Sequence, residues 1–306
     1  MTSPTSSAAA QAASSMGGGL ALAIVGSIAF SAKAIIVKLA YRHGVDAVTV
    51  IMYRMLFALP LFAALAWWAG RGKPVLTWRD GRAVLALGFC GYYLASMLDF
   101  LGLQFVSAGL GRLIQYLNPT LVLLQSVLFF GKQVHGRQLL ALAVSYAGVL
   151  LVFGHELRLQ GTNTLYGGLL IFGSACVYAV YLVYSGEVVK RLGALRLTGW
   201  ATMVACLLCL IQFALLRPLS AAVVAPEVIG LSILNATLCT FAPVLMVMMA
   251  IERIGATLTA QTGMIGPLST IMMGVLILGE PFNGWIAAGT LLVLVGITLL
   301  ARAKTA

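Results

Sequence analysis

The second half of this chain repeats the first half at a constant offset of 148 residues, within a sequence that is apolar almost throughout. Pro119 corresponds to Pro267, and three glycines after Pro119 recur after Pro267 in the same ungapped register. Glycine is abundant here, but a proline and three glycines at one offset are hard to attribute to composition. The period is too long for a solenoid and indicates a duplicated bundle of membrane helices.

The composition requires a lipid environment. Hydrophobic residues make up 61% of the 306 residues and charged residues 9%, which one water-soluble core could not bury. A helix needs about 20 apolar residues to cross the hydrocarbon layer, and continuous runs of this kind favour helices over a barrel. The sequence therefore predicts an all-α membrane protein with ten spans, near 20–39, 48–68, 83–105, 110–130, 139–153, 165–189, 198–216, 228–251, 257–278 and 285–300.

Five spans in each half make the second half enter the membrane from the opposite side, because an odd number of crossings reverses the chain. The predicted fold is therefore ten transmembrane helices arranged as two inverted five-helix repeats. We place the repeats at 18–154 and 165–306, the second with a short cytoplasmic tail, and a connecting loop at 155–164. Residues 1–17 are small and polar and lack the basic region of a signal peptide, so we expect a disordered tail.

The net charge of +11 is spread over short loops, which argues against a nucleic-acid-binding face. If the N-terminus is cytoplasmic, twelve Lys and Arg residues fall in inside segments and four in outside segments. This distribution follows the positive-inside rule. We expect a multi-pass protein of the cytoplasmic (inner) membrane with both termini in the cytoplasm.

The sequence offers no recognisable catalytic or cofactor-binding motif. It contains no phosphate-binding loop, and its three histidines lie in or beside loops without paired ligand spacing. Cys206 and Cys209 form a C-x-x-C, but imidazole and carboxylate ligands are missing nearby, which favours a packing role. We therefore expect no metal, no cofactor and no enzymatic activity, with energy supplied by a gradient.

Several segments resemble one known family over nearly the whole chain. They are GSIAFSAKAIIVK in the first span, VIMYRMLFALP in the second, DFLGLQFVSAGLGRLIQYLNPTLVLLQSVLFFGK across the third and fourth, and GATLTAQTGMIGPLSTIMMGVLILGEP in the second repeat. Together they are similar to the EamA family of the drug/metabolite transporter superfamily. The chain departs from the family at Lys132, where the acidic residue seen as Glu280 usually recurs, and at Gly111, where many relatives carry an acidic neighbour for Arg112.

Four ionisable residues are predicted to lie inside the bilayer: Lys33, Arg54, Asp99 and Arg112. Each costs roughly 2.5 to 3.5 kcal/mol at a helix centre. Lys33, Arg54 and Asp99 stand six residues from the outer ends of their spans, about 9 Å deep at 1.5 Å per residue, and Arg112 lies at a similar level. They form either a structural salt-bridge cluster, with Lys33 extending outward along its alkyl stem, or a positively charged pocket for an anionic substrate group.

In the functional alternative, Arg54 binds a substrate carboxylate, because a guanidinium grips a carboxylate through two hydrogen bonds. Asp99 pairs with one cation and then either holds a substrate amine or alternates between proton and substrate, which makes it the candidate for proton coupling. Further candidate substrate-binding residues are Tyr93, Gln115, Tyr116, Tyr178, Tyr181, Asn235 and Gln261. The alternatives for them are interface anchors for the tyrosines and helix-to-helix hydrogen bonds for the amides.

Pro119 and Pro267 are predicted to bend the fourth and ninth spans and to free backbone carbonyls near the centre of the membrane. A kink without any contact to a ligand is the alternative. In the inverted-repeat transporters that the resemblance implies, a substrate site lies near the midplane, between the repeats.

The expected function is a secondary transporter that exports amino acids or related small polar metabolites by alternating access. The substrate class rests on resemblance to YddG-like members of the family. One alternative is transport of a nucleoside, vitamin or other aromatic metabolite, and another is a structural membrane protein that transports nothing. The expected partners are the small-molecule substrate, membrane lipid and a proton as candidate coupling ion, with no nucleic acid; monomer and homodimer both remain open.

Overall fold

The computed structural model describes residues 5–130, 135–263 and 265–303, and all regular structure in these ranges is helical. The helices of the first half are α1 Thr5–Tyr41, α2 Ala47–Gly70, α3 Trp78–Leu87, α4 Ala95–Gly102, α5 Ala108–Gln115, α6 Asn118–Phe130 and α7 Gly136–Gln160. The helices of the second half are α8 Thr162–Leu192, α9 Ala194–Leu216, α10 Pro226–Ala236, α11 Ala242–Thr262, α12 Ile265–Met273 and α13 Gly284–Ala303.

Within the described ranges, eight helices are long and apolar enough to cross a membrane. They are Met16–Tyr41, Ala47–Gly70, Trp78–Gly102, Gly136–Arg158, Thr162–Leu192, Ala194–Leu216, Pro226–Ile254 and Gly284–Arg302. The chain is therefore a multi-pass membrane protein. The predicted fourth and ninth spans correspond to shorter pieces, because the fourth is divided between α5 and α6 and the ninth is reduced to the apolar helix Ile265–Leu278.

The two prolines mark helix breaks instead of bends. Pro119 is the second residue of α6 and Pro267 the third residue of α12, so each lies in the first turn of a new helix. Proline is tolerated there because the amide it lacks has no partner within the helix. The break at Tyr116–Leu117 and the break between Thr262 and Ile265 fall at equivalent repeat positions.

Short π-helical turns also occur at equivalent positions. One, at Gly88–Leu94, joins α3 to α4. Another, at Thr237–Phe241, joins α10 to α11 and lies at the position that the 148-residue offset makes equivalent to the first. A third, at Gly274–Leu278, extends α12. Such turns are frequent at functional sites because they re-aim side chains without ending the helix.

The chain reverses direction between the eighth and ninth predicted spans. α1 runs antiparallel to α11 and places Gly19 against Ile254. Further along α1, Ser31 contacts Gly266, so the chain has turned back by that point.

The packing of the helices is unchanged when the two halves are exchanged. α1 packs on α11, α2 on α9, α4 on α8 and α7 on α13. If α1 is equated with α8, α2 with α9, α4 with α11 and α7 with α13, each pair maps onto itself or onto another pair. Duplicated bundles are expected to pack in this way.

The α7 and α13 backbones touch directly. A Cβ atom on Gly148 would lie 2.6 Å from the carbonyl oxygen of Gly289, and one on Gly289 would lie 2.6 Å from that of Gly148. Small residues permit this approach, as in many membrane helix pairs.

Two segments are helical where the sequence suggested a disordered tail and a loop. α1 begins at Thr5, inside the 1–17 segment expected to be a disordered tail; this stretch is rich in alanine, which has the highest helix propensity. The predicted loop at 155–164 is mostly helical, because α7 continues to Gln160 and α8 begins at Thr162. Gly161 makes the turn at a φ of 72°, which favours glycine.

Candidate functional site

A cavity of about 350 Å³ lies between the two halves of the bundle. Its walls come from the helices of both repeats and include the proline-marked break between α5 and α6. A volume of this size lies within the usual range of small-molecule sites, roughly 300 to 1,000 Å³. The cavity is the place where most of the predicted polar residues meet.

Seven of the predicted substrate-binding residues line this cavity: Lys33, Arg54, Asp99, Arg112, Gln115, Tyr116 and Tyr178. Their helices bring them together although they are far apart in sequence. The four charges that were placed at one depth therefore do share one space. Lining the cavity is a matter of position only, and their binding roles stay a prediction.

The other four predicted residues are not among the lining residues. Tyr93 is half-buried and packs on Phe89, and Asn235 is buried with 1% exposure. Tyr181 stands behind the wall, where its hydroxyl lies 3.1 Å from that of Tyr92. The side chain of Gln261 lies outside the described part of the structure, as do Gly131 and Lys132.

Asp99 is buried in the wall and accepts two hydrogen bonds. It is 3% exposed, and its Oδ2 accepts a hydrogen bond from Lys33 Nζ at 2.8 Å. Its Oδ1 accepts a second from Gln115 Nε2 at 2.6 Å. The buried carboxylate is therefore neutralised by Lys33, and both of its oxygens already have partners.

Arg54 is a buried cation that faces the cavity. It is 4% exposed, donates to Ser96 Oγ at 3.3 Å and lies 4.9 Å from the centre of the Phe100 ring. Its Nε has no hydrogen-bond partner. Among the described residues, no carboxylate lies within 4.0 Å of this guanidinium. Buried polar groups are normally satisfied, so the unpaired Nε on this cavity wall is a donor that remains available for a further hydrogen bond.

Arg112 is in a similar position on α5. It donates to Ser31 Oγ at 3.4 Å and packs between the rings of Phe30 and Tyr116, 5.3 and 5.1 Å away. Its Nε also lacks a partner, and no carboxylate of the described chain pairs with it. Cation–π contacts compensate part of the burial but leave the hydrogen-bonding capacity unused.

The break between α11 and α12 allows the second repeat to contact the site. The Tyr116 hydroxyl donates to the carbonyl oxygen of Gly263 at 2.9 Å. A Cβ atom on Gly266 would lie 2.5 Å from that hydroxyl and 3.2 Å from the Arg112 guanidinium. The interrupted backbone of the second repeat therefore packs directly on two candidate ligand-binding side chains.

Sequence reasoning missed several polar and aromatic wall residues: Phe30, Tyr92, Ser96, Ser174, Thr202 and Thr240. Phe30 and Ser96 precede Lys33 and Asp99 by three residues, and this helical spacing was the available signal. Thr202 and Thr240 are hydroxyls in apolar helices without a charged neighbour nearby in the sequence. Only the packing of the helices reveals that they face the cavity.

Polar contacts join the two halves at the end of the bundle that carries the turn after α1, called here the α1–α2 end. The Glu280 carboxylate accepts hydrogen bonds from the amides of Ala108 and Gly109, at 2.7 and 3.4 Å, and so caps α5. Arg42 donates to the carbonyl oxygen of Leu278 at 2.5 Å. These contacts hold the first repeat against α12 and the turn after it.

Asp46 joins the halves at the same end and also caps α2. It accepts hydrogen bonds from the Val48 amide at 2.9 Å and from the Arg217 guanidinium at 3.1 Å. Partial burial acts to raise the pKa of Asp46, but the hydrogen bonds from Arg217, Thr49 and Val48 outweigh it and lower the pKa below its usual value. A depressed pKa means that this contact weakens only as the pH falls into the acidic range.

The opposite end, which carries the turn between α2 and α3 and is called the α2–α3 end, has its own contacts between the halves. Arg191 lies 2.5 Å from the Asp80 carboxylate, and Arg196 donates to the carbonyl oxygen of Pro74 at 2.7 Å. Polar contacts therefore join the two repeats at both ends of the bundle.

A bundle of apolar helices around a charged central cavity defines a class of membrane proteins that bind small polar molecules within the bilayer. The EamA-like transporter family model matches residues 17–154 and again residues 165–302. The chain belongs to the EamA-like transporter family, and the two matches cover its two repeats.

Similar proteins from other organisms agree with this assignment. The uncharacterized transporter YcbK of Bacillus subtilis (strain 168) is 31% identical over 278 residues, 84% of each chain. An uncharacterized transporter of Archaeoglobus fulgidus is 25% identical over 268 residues, 87% of this chain and 91% of that one. The uncharacterized transporter YyaM of Bacillus subtilis is 28% identical over 72% of each chain. The family and these relatives place the protein among membrane transporters.

A solved crystal structure superimposes on the chain with a TM-score of 0.60, over 93% of this chain and 97% of that one. The two sequences are 17% identical. At this level of identity the match shows the fold alone.

Proposed function

We propose that the protein is a secondary transporter that exports amino acids or related small polar metabolites across the cytoplasmic membrane. The observation that carries this proposal is Arg54, which is 4% exposed, faces the central cavity and has no carboxylate partner among the described residues. A guanidinium binds a carboxylate through two parallel hydrogen bonds. The substrate carboxylate then supplies the negative charge that pairs with Arg54.

The proposed architecture is ten spans in two inverted repeats, with both termini in the cytoplasm. The helix pairs support it, because they map onto one another when the two halves are exchanged. Helix breaks and π turns at equivalent positions support it as well. The excess of Lys and Arg on one side supports the orientation. In this orientation the α1–α2 end faces outward and the α2–α3 end faces the cytoplasm.

Alternating access in this architecture opens one end of the cavity while the other stays closed. The proposed outward gate consists of the Glu280 cap on α5 and Arg42, and the proposed cytoplasmic gate of the Asp80–Arg191 pair and Arg196. Each set joins the two repeats, so breaking one set lets the repeats rock about the central site. The helix breaks beside the site supply places for the backbone to flex.

Asp99 is the proposed coupling residue if a proton drives the transport. Its two oxygens are held by Lys33 and Gln115, at 2.8 and 2.6 Å. Protonation would remove the charge that Lys33 neutralises, and it would thereby change the net charge of the cavity by one. Membrane lipid and the substrate are the other proposed partners.

A second candidate function is supported by the aromatic side chains of the cavity. Phe30, Tyr92, Tyr116 and Tyr178 all line it, which suits a nucleoside, a vitamin or another aromatic metabolite. Stacking on these rings would depend little on Arg54. The two candidates are therefore separated by the effect of an Arg54 substitution.

The test is an untargeted comparison of small metabolites inside and outside cells that produce the wild type, Arg54→Gln or neither. Arg79→Gln is the matched control, because Arg79 is exposed near the start of α3 and remote from the cavity lining. Membrane content of each variant is measured in parallel, and Arg54→Lys reports whether charge alone suffices. We expect a carboxylate-bearing metabolite to leave cells only with the wild type and the Arg79 variant.

Two other results contradict the proposal. Export of an aromatic metabolite that Arg54→Gln leaves unchanged would select the second candidate. Identical metabolite profiles in all strains, with normal membrane content, would point to a structural protein that transports nothing.

A further inference from the structure

The charges in the cavity do not balance. Lys33, Arg54 and Arg112 are cations that line it, and Asp99 is the one carboxylate among its lining residues within the described chain. Asp99 forms its ion pair with Lys33 at 2.8 Å, which leaves both guanidinium groups without a counter-charge. The formal charge of the lining is therefore +2, in a place where uncompensated charge is costly.

Both guanidinium groups also have unused hydrogen-bonding capacity. The Nε atoms of Arg54 and Arg112 are buried and have no acceptor. The hydroxyl partners of the two side chains, Ser96 and Ser31, lie at the long distances of 3.3 and 3.4 Å. A guanidinium committed to a structural role is normally satisfied by short, charge-assisted bonds. The two arginines thus have donors left for a ligand, whereas Lys33 and Asp99 neutralise each other within the protein.

The same balance argues against a substrate whose only charged group is an amine. A substrate ammonium at the one carboxylate of the described lining would have to share it, because the oxygens of Asp99 already accept hydrogen bonds from Lys33 and Gln115. The Lys33 and Arg112 cations that border the cavity would also repel an ammonium.

We propose that the substrate is a small metabolite carrying two negative charges, one bound by Arg54 and the other by Arg112. This deepens the proposed function and rests on it. Two carboxylates and one doubly ionised phosphate share the required chemistry. The aromatic rings of Phe30 and Tyr116 flank Arg112 and cover the short apolar part of such a molecule.

The proposal is tested by ligand-induced stabilisation of the purified full-length protein in detergent. The matched probes are succinate against butyrate, which differ by one carboxylate, and glycerol 3-phosphate against glycerol. Binding of a ligand to the folded state raises the melting temperature according to its affinity. We expect succinate or glycerol 3-phosphate to stabilise the wild type at concentrations at least tenfold below those of its uncharged or singly charged partner.

The arginine variants show whether the preference arises in this cavity. In Arg112→Gln and in Arg54→Gln we expect the advantage of the dianion over its partner to fall at least tenfold, while Arg79→Gln keeps it. Arg54→Lys and Arg112→Lys serve as second variants, because they keep the buried charge if the glutamine variants do not fold. The lysine variants should bind the dianion more weakly than the wild type, since the two-bond grip is lost.

The outcomes separate this inference from the proposed function. Equal stabilisation by succinate and butyrate, or no stabilisation by either dianion, overturns the dianion assignment. If cells nevertheless export a monocarboxylate in an Arg54-dependent manner, the proposed function stands and only the substrate class is wrong. Stabilisation by glycerol 3-phosphate and not by succinate supports the dianion and identifies phosphate as its source.

Discussion

Lys33 and Asp99 form the buried ion pair of the cavity, and their side chains are 12% and 4% exposed. Removing one member of such a pair leaves the other charge uncompensated in a region of low dielectric. Loss of either partner is therefore expected to destabilise the wall of the cavity, independently of any part the pair takes in coupling. Stability and transport need to be measured separately for these two residues.

Asp99→Asn is expected to destabilise the protein by about 3 to 5 kcal/mol, because Lys33 loses its counter-charge while it stays buried. Thermal unfolding of the purified protein in detergent measures this. The double variant Asp99→Asn with Lys33→Met should recover most of the loss, since no unpaired charge remains. An Asp99→Asn protein as stable as the wild type would contradict a structural role for the pair.

The sequence identified the charged residues of the candidate site. Lys33, Arg54, Asp99 and Arg112 are conspicuous in apolar spans, and counting along the helices placed them at one depth. Their pairing could not be derived, because it depends on which helix faces meet. Tyr93 and Tyr181 show this limit: they are neighbours of lining residues in sequence, but they point elsewhere.

Helix elements in this fold are positioned by direct backbone contact. Gly102 and Gly167 bring α4 against α8, and Gly148 and Gly289 bring α7 against α13. A side chain at such a position has no space unless the helices separate. Glycine therefore has two opposing effects in these helices, since it weakens the helix itself but allows the pairing.

Gly148→Ala is expected to destabilise the protein by about 1 to 3 kcal/mol, because its Cβ atom would lie 2.6 Å from the carbonyl oxygen of Gly289. Gly154→Ala is the matched control in the same helix, since nothing lies within 4 Å of its added Cβ atom. The control should be neutral or stabilising by up to about 1 kcal/mol through helix propensity. Thermal unfolding of both variants is the measurement, and equal effects would show that α7 and α13 do not touch here.

The sequence predicted the positions of the two helix breaks but not their form. Pro119 and Pro267 identified the places, since proline disturbs the helix at the residues before it. The sequence suggested bent helices, whereas each proline lies in the first turn of a separate helix, α6 or α12. No sequence pattern predicted the π turns beside the cavity, which pack against helices of the opposite repeat.

At the scale of the whole molecule, the main helix pairs map onto one another when the two halves are exchanged, as expected for a duplicated sequence. The structure adds contacts that join the two repeats at each end, such as the Glu280 cap on Ala108 at 2.7 Å and the Asp80–Arg191 pair at 2.5 Å. These contacts link residues that are distant in sequence, so no local sequence pattern predicts them. The proposed orientation determines which set faces the cytoplasm.

The orientation is tested with two exposed valines at opposite ends of the bundle. Val223 lies between α9 and α10 and Val75 between α2 and α3, and they are 86% and 90% exposed. Val223→Cys should react with a membrane-impermeant thiol reagent in intact cells, and Val75→Cys only after permeabilisation. Wild-type protein serves as the control for its own cysteines. The reverse pattern would place both termini outside.

The most direct test of the account is counterflow in proteoliposomes, with the metabolite that the cell comparison identifies. A carrier with one central site exchanges labelled external substrate for unlabelled internal substrate, so label accumulates transiently when the vesicles are preloaded. We predict this overshoot for the wild type and for Arg79→Gln, and its loss in Arg54→Gln. Uptake that is independent of preloading, or an overshoot that Arg54→Gln leaves unchanged, would contradict alternating access through the arginine-lined cavity.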